Sequence, residues 1–301
     1  MLNNQPVYIF APLQDVKCLQ AIMSKTGVMF RINDYQLNHW SADHQVCYFK
    51  YAQLSGLQRL ILDNARMAGA KVEALLAYFE AHFGQIEIDL LGPENLLQMD
   101  INFSGSGRYQ QYVRRVFDIA AALAGLVLFL IPGLLVAAWI RLDSGDPVFF
   151  LQKRTGLYNR EFRIVKFRSM YPDAERHGAC WAEHNDERIT RAGRWLRKTR
   201  LDEIPQLWNV LRGDMSIIGP RPEREVFIRQ LEQQIPFYRF RHLVKPGITG
   251  LAQVMFTYGA SVEDARQKHR YDLYYIKNRS WKLDLKILWD TLLTIVRGAG
   301  V

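Results

Sequence analysis

The chain has 301 residues, 49% of them hydrophobic and 23% charged, with a formal net charge of +9. That length and apolar content exclude a disordered or fibrous protein and leave room for more than one domain. The basic balance points to an anionic partner, and nucleic acid, a membrane surface and a phosphorylated small molecule are the classes to separate.

At the N-terminus no basic start precedes an apolar core, so no signal peptide is expected. Residues 1–107 read as a small soluble α/β module. Val7-Tyr8-Ile9-Phe10 and Val46-Cys47-Tyr48-Phe49 are short β-prone runs. Apolar positions between Leu57 and Phe83 predict one long helix or two, broken near Gly69, and Ile86-Glu87-Ile88-Asp89-Leu90 alternates like a half-buried strand. His39, His44 and His82 have no spacing that favours a metal, and Cys18, Cys47 and Cys180 form neither a metal-ligand pattern nor an even disulfide set. A reducing compartment is therefore expected. Phe103-Ser104-Gly105-Ser106-Gly107 reads as a flexible linker.

Residues 108–145 hold the most apolar stretch. Residues 119–140 contain no charged side chain, and as a straight helix they would be about 33 Å long, enough to cross a bilayer core. Pro132-Gly133 falls near the middle, where a proline kinks a helix. Arg114 and Arg115 precede the stretch and Arg141 follows it, a distribution that keeps both ends on the cytoplasmic side.

From residue 146 onward basic residues dominate. The run 146–170 predicts a β-hairpin turning near Tyr158-Asn159, with Arg163, Lys166 and Arg168 on its second strand. Arg188, Arg191, Arg194, Arg197, Lys198 and Arg200 stack several charges on one helical face, which costs repulsion unless an anion is near. Behind them stand Asp202 and Glu203, just before Pro205, followed by Gly219-Pro220-Arg221-Pro222-Glu223. Read alone, the two acids are a helix first turn stabilised by the dipole. Read with the arginines, they suit Mg²⁺ and phosphates, with one carboxylate free to attack phosphorus. In the tail, Leu285, Leu288, Leu292 and Ile295 mark an amphipathic helix that lies either in a headgroup layer or against the core.

These blocks resemble the bacterial sugar transferase family, the monotopic polyprenyl-phosphate phosphoglycosyl transferases. The likeness covers residues 108–301 and rests on Arg115 with Asp118, Pro147-Val148-Phe149-Phe150, Gln152-Lys153-Arg154, Lys166-Phe167-Arg168-Ser169-Met170, Leu201 through Leu207, Gly213 through Ser216, Gly219 through Glu223, and Lys245 through Gly250. Beside the N-terminal module read from its own residues, the resemblance implies the rest of an α/β (α+β) chain in three parts. They are the N-terminal module (1–107), a re-entrant membrane helix broken at Ile131-Pro132 (108–145), and a mostly helical monotopic catalytic domain with a short hairpin and interfacial amphipathic helices (146–301). It implies Asp202 as covalent nucleophile, Glu203 as its assistant and Mg²⁺ ligand, and substrate contacts at Lys166, Arg168, Arg197, Arg200, Pro220, Arg221 and Pro222. It further implies transfer of a sugar 1-phosphate from a UDP-sugar to undecaprenyl phosphate with release of UMP, on the cytoplasmic face of a bacterial inner membrane. Membrane lipid is then an expected partner, a homodimer an expected assembly, and nucleic acid is not expected. Against the family pattern, Ile131 stands where Ser is common and Leu251 where Trp is common. A membrane-tethered nucleic-acid binder and a glycosyltransferase that releases UDP are the competing readings.

Overall fold

The computed structural model describes residues 5–37, 39–92, 108–174, 176, 178, 186–256 and 261–296. They form two compact units, Met1–Leu90 and Leu91–Val301.

The first unit is a parallel four-stranded sheet in the order β2-β1-β3-β4, built from β1 (Val7–Phe10), β2 (Phe30–Ile32), β3 (Gln45–Tyr48) and β4 (Lys71–Ala74). Its helices are α1 (Val16–Met23), α2 (Gly56–Met67) and α3 (Leu75–Phe83). Strand alternation divides the core in two. Val7, Ile9 and Cys47 pack with Leu19, Met23 and Phe79 on one face, and Tyr8, Phe10 and Val46 pack with Leu62 and Ala65 on the other. Two expectations change here. The helical stretch 57–83 is two helices broken at Gly69, at φ +87, as expected, but the break also holds a strand, Lys71–Ala74, which pairs with the open edge of β3. The alternating run 86–90 pairs with no strand among the described residues, and Ile88–Leu90 is a short 3₁₀ turn that buries Ile88 and Leu90. The linker expected at 103–107 lies outside the described residues.

Among its described residues, the second unit first forms α4 (Arg108–Leu128) and α5 (Leu130–Ser144), which meet at Phe129 with a 60° bend. Among the described residues no single helix is long and apolar enough to cross a membrane, whereas the bent pair has that length and composition together. Pro132 occupies the first turn of α5, where a missing N–H costs nothing because first-turn amides have no intrahelical acceptor. The helix break expected at Ile131-Pro132 therefore lies at Phe129, just upstream.

Both ends of the pair are fastened to the same body. At the start of α4, Arg114 forms a buried ion pair with Asp284, and Arg115 donates to the carbonyls of Val210 and Leu211 at 2.6 and 2.7 Å. One turn on, Asp118 accepts from Ser216 Oγ and Ile217 N, both at 2.9 Å. At the end of α5, Arg168 Nη2 donates to the carbonyls of Ser144 and Gly145 at 2.9 and 2.6 Å, and Asp143 accepts from Ala192 N at 3.0 Å. Such bonds satisfy helix-terminal groups that would otherwise be left without partners.

The rest follows as β5 (Phe149–Thr155) antiparallel to β6 (Glu161–Phe167), then α6 (Arg191–Thr199) and α7 (Gln206–Arg212). Next come β7 (Ser216–Ile218), α8 (Glu225–Leu231), β8 (Gly247–Thr249), α9 (Leu251–Met255), α10 (Val262–Lys277) and α11 (Trp281–Val296). The hairpin turns at Leu157–Asn159, with Tyr158 and Asn159 both at positive φ, as the sequence predicted. In α11 the buried face carries Asp284 and Ile287, while Leu285, Trp289 and Leu292 are exposed. Of the predicted apolar stripe, Leu285 and Leu292 are therefore exposed and Leu288 is half-buried.

Candidate active site

Helix α6 starts with Thr190, whose hydroxyl accepts from Gly193 N at 2.9 Å, and it runs close against the hairpin end. A Cβ on Gly193 would stand 1.9 Å from the Ser169 carbonyl oxygen, so only glycine permits this approach. The helix ends at Arg200 with φ 57 and ψ 18, a left-handed conformation that glycine normally supplies. Keeping arginine there costs about 1 kcal/mol, and its guanidinium sits in the field of Asp202 and Glu203. The reversal leads directly into the 3₁₀ turn Leu201–Glu203, in which both acids are buried. Pro205 caps α7 behind them, so the acids precede that helix and do not form its first turn.

The two neighbouring carboxylates are treated in opposite ways. Glu203 Oε1 accepts from Lys166 Nζ at 3.0 Å and from Arg221 Nη2, while Oε2 accepts from Arg221 Nη1 at 3.3 Å. Asp202 accepts no hydrogen bond and joins no ion pair among the described residues; Lys166, Arg197 and Arg221 act on it only through their fields. Burial and the Glu203 charge push the Asp202 carboxyl up to about 6. Burial acts on Glu203 in the same sense, but Arg221 and Lys166 outweigh it and hold that carboxyl well below the usual range. Burial in turn pulls the Lys166 ammonium and the Arg200 guanidinium below their ordinary values.

Each support is specific. Lys166 comes from β6, whose edge is bonded by the buried Asn209: its Oδ1 accepts from Val165 N at 3.0 Å and its Nδ2 donates to Arg163 O at 2.7 Å. Arg221 comes from a loop in which three consecutive carbonyls are taken. Pro220 O accepts from Gly247 N at 2.9 Å, Arg221 O from Arg241 Nη2 at 3.1 Å, and Pro222 O from Arg154 Nη1 at 3.2 Å. The prolines contribute no amide hydrogens that would need acceptors. Arg241 is itself paired with Asp272 at 2.8 Å, both buried.

Of the residues singled out in the sequence, Asp202, Glu203, Lys166, Arg197, Arg200 and Arg221 converge, with Pro220 and Pro222 buried beside them. Arg168 does not join them, being spent on the end of α5. The basic run divides by role: Arg188 bonds Asp186, Arg191, Arg194 and Lys198 are exposed, and Arg197 and Arg200 reach the acids. Arg154, Asn209, Arg241 and Asp272 had no assigned role in the sequence, because each acts on a segment distant in the chain. Arg115 and Asp118, prominent in the family pattern, fasten α4 and touch no acid of the site.

Such a site, a free carboxylate beside a clamped one within a ring of cations, is suited to phosphoryl transfer through a covalent carboxylate intermediate. The chain belongs to the bacterial sugar transferase family, whose model matches residues 109–298. It is therefore a transferase. It is 41% identical over 296 residues to the UDP-N-acetylgalactosamine-undecaprenyl-phosphate N-acetylgalactosaminephosphotransferase of Aeromonas hydrophila, covering 98% of this chain and 68% of that protein. It is 42% identical over 181 residues to the UDP-glucose:undecaprenyl-phosphate glucose-1-phosphate transferase of Caulobacter vibrioides, covering 60% of this chain and 68% of that one. The Escherichia coli protein of the same description is 40% identical over 203 residues, and there the chain spans 42% of the relative.

Proposed function

We propose that this chain transfers a sugar 1-phosphate from a UDP-sugar to undecaprenyl phosphate through an aspartyl intermediate at Asp202, releasing UMP. The observation that carries the reading is the unbonded Asp202 carboxylate next to the clamped Glu203. An Asp202 oxygen attacks the β-phosphorus of the nucleotide sugar, the bond from that phosphorus to the bridging oxygen breaks, and UMP departs with the electron pair. A phosphate oxygen of the lipid then attacks the same phosphorus and Asp202 leaves as a carboxylate. Arg197, Arg200 and Arg221 balance the oxygens whose charge grows along the way.

This reading includes Mg²⁺ arriving with the diphosphate. No three His, Cys, Asp or Glu side chains converge among the described residues, and Mg²⁺ typically takes one or two protein carboxylates and completes its shell with phosphate oxygens and water. Glu203 would help to hold it, and when bound it would neutralise charge on the phosphate oxygens. The Aeromonas alignment runs through both units, so UDP-N-acetylgalactosamine is the donor to test first.

Incubation with UDP-sugar alone tests the reading: UMP should appear in stoichiometric amount, with a mass increase of one sugar phosphate on Asp202. Release of UDP, or turnover without an adduct, would overturn it. The rate of this half-reaction should fall as pH drops through about 6, since protonated Asp202 is no nucleophile.

The bent helix pair is read as re-entrant, entering and leaving a bacterial inner membrane by its cytoplasmic face. In support, both of its ends are bonded to the same unit, and Val127, Leu128, Leu130, Ile131, Leu134 and Leu135 around the bend are exposed. Exposed Cys18 reports the first unit, while Cys47 is buried and its thiol is pushed up to about 12. In a Cys180→Ser background carrying Gln233→Cys, an impermeant thiol reagent should reach both Cys18 and the new cysteine in inside-out vesicles and neither in spheroplasts. Labelling of the two from opposite sides would show a span.

A further inference from the structure

On β5 three successive apolar residues, Phe149, Phe150 and Leu151, are exposed. The hairpin register separates them. Phe150 stands directly opposite Lys166, Leu151 opposite Val165 and Phe149 opposite Phe167. Directly paired residues project from one face with Cβ atoms roughly 5 Å apart, and neighbours along a strand project from opposite faces. Phe150 therefore shares its face with Lys166, whose ammonium bonds Glu203, and with Arg154, which holds the Arg221 loop. Leu151, more exposed at 56% against 38%, lies on the other face.

We infer that Phe150 is the apolar lip of the site, against which the first isoprene units of the acceptor lipid lie while its phosphate reaches the cations. The inference rests on the reading above and adds the place where the acceptor enters. A phosphate joined directly to a hydrocarbon chain needs an apolar surface within a few ångströms of its cation, and the Phe150–Lys166 pair supplies that juxtaposition. A nucleotide sugar offers no hydrocarbon to such a surface.

The test uses full-length protein in nanodiscs and separates the two half-reactions. Phe150→Thr, which keeps strand propensity, should leave the UMP burst from UDP-sugar alone unchanged and raise KM for undecaprenyl phosphate about tenfold, as expected for losing an apolar contact of this size. Phe150→Leu should stay within about twofold of wild type by the same area argument, and Leu151→Thr should leave the acceptor KM unchanged. Equal effects of Phe150→Thr and Leu151→Thr would show general membrane seating and overturn the proposal. So would an unchanged KM in Phe150→Thr, or a lost burst in that variant at normal thermal stability. Should Phe150→Thr melt below the assay temperature, Phe150→Leu against Phe150→Val decides: no rise in KM as the side chain shortens overturns it. Absence of any UMP burst in the wild type would instead defeat the underlying reading.

Discussion

Asp202→Asn should lose transfer by at least about 10³-fold, as removal of a nucleophile commonly does, and should melt no lower than wild type. The second half of that expectation follows from the site itself. The Asp202 carboxyl is pushed from 3.8 up to about 6 by burial and by Glu203, so the folded state binds its proton more tightly than the unfolded chain. A group shifted in this sense contributes stability that is fully present below pH about 3.8 and is lost as pH rises through about 6. At neutral pH the ionised carboxylate is a liability that asparagine removes. Differential scanning calorimetry beside a turnover assay checks both parts. A large fall in Tm together with lost activity would make Asp202 a structural residue.

Glu203→Gln should produce the converse pairing, with lower stability, turnover reduced by about 10²-fold and an altered pH profile. Glutamine retains one acceptor but leaves Lys166 and Arg221 without a carboxylate. Breaking a fully buried pair costs about 3–5 kcal/mol, and because the Arg221 side chain is 38% exposed a loss of about 1–3 kcal/mol is expected. Glu203 is held below its ordinary value by Arg221 and Lys166, so its contribution is present above pH about 4.5 and fades as pH falls. The same substitution removes one of the two influences that raise Asp202. The acid limb of the UMP burst should therefore move below pH 6, a shift that a purely structural role for Glu203 would not cause. A burst with unchanged rate and acid limb would show that the clamp is not part of the site.

These two acids illustrate how far linear information reaches. Their adjacency, the proline after them and the arginines before them are visible in the chain, and the repulsive density of that basic run already implied an anion. Which acid is free was decided elsewhere. It depends on Lys166, supplied by a hairpin strand whose edge Asn209 holds, and on Arg221, aimed by a loop whose carbonyls are bonded by Arg154, Arg241 and Gly247. Arg168 shows the reverse case. Two residues from Lys166, it looked equivalent in the chain, yet it closes the end of α5.

By itself the sequence determined the features that depend on local order: the apolar stretch with its proline, the hairpin and its turn, the basic helix and the acid pair. Those arise from side-chain periodicity and turn chemistry, which act within a few residues. The tertiary structure alone decided the strand at Lys71–Ala74, the fastening of both helix ends to one unit, and the division of labour between Asp202 and Glu203. Each of these depends on a partner far along the chain, such as Asp284 for Arg114 or Arg221 for Glu203. Ion pairing and desolvation act through space, and no local pattern encodes which distant group will arrive.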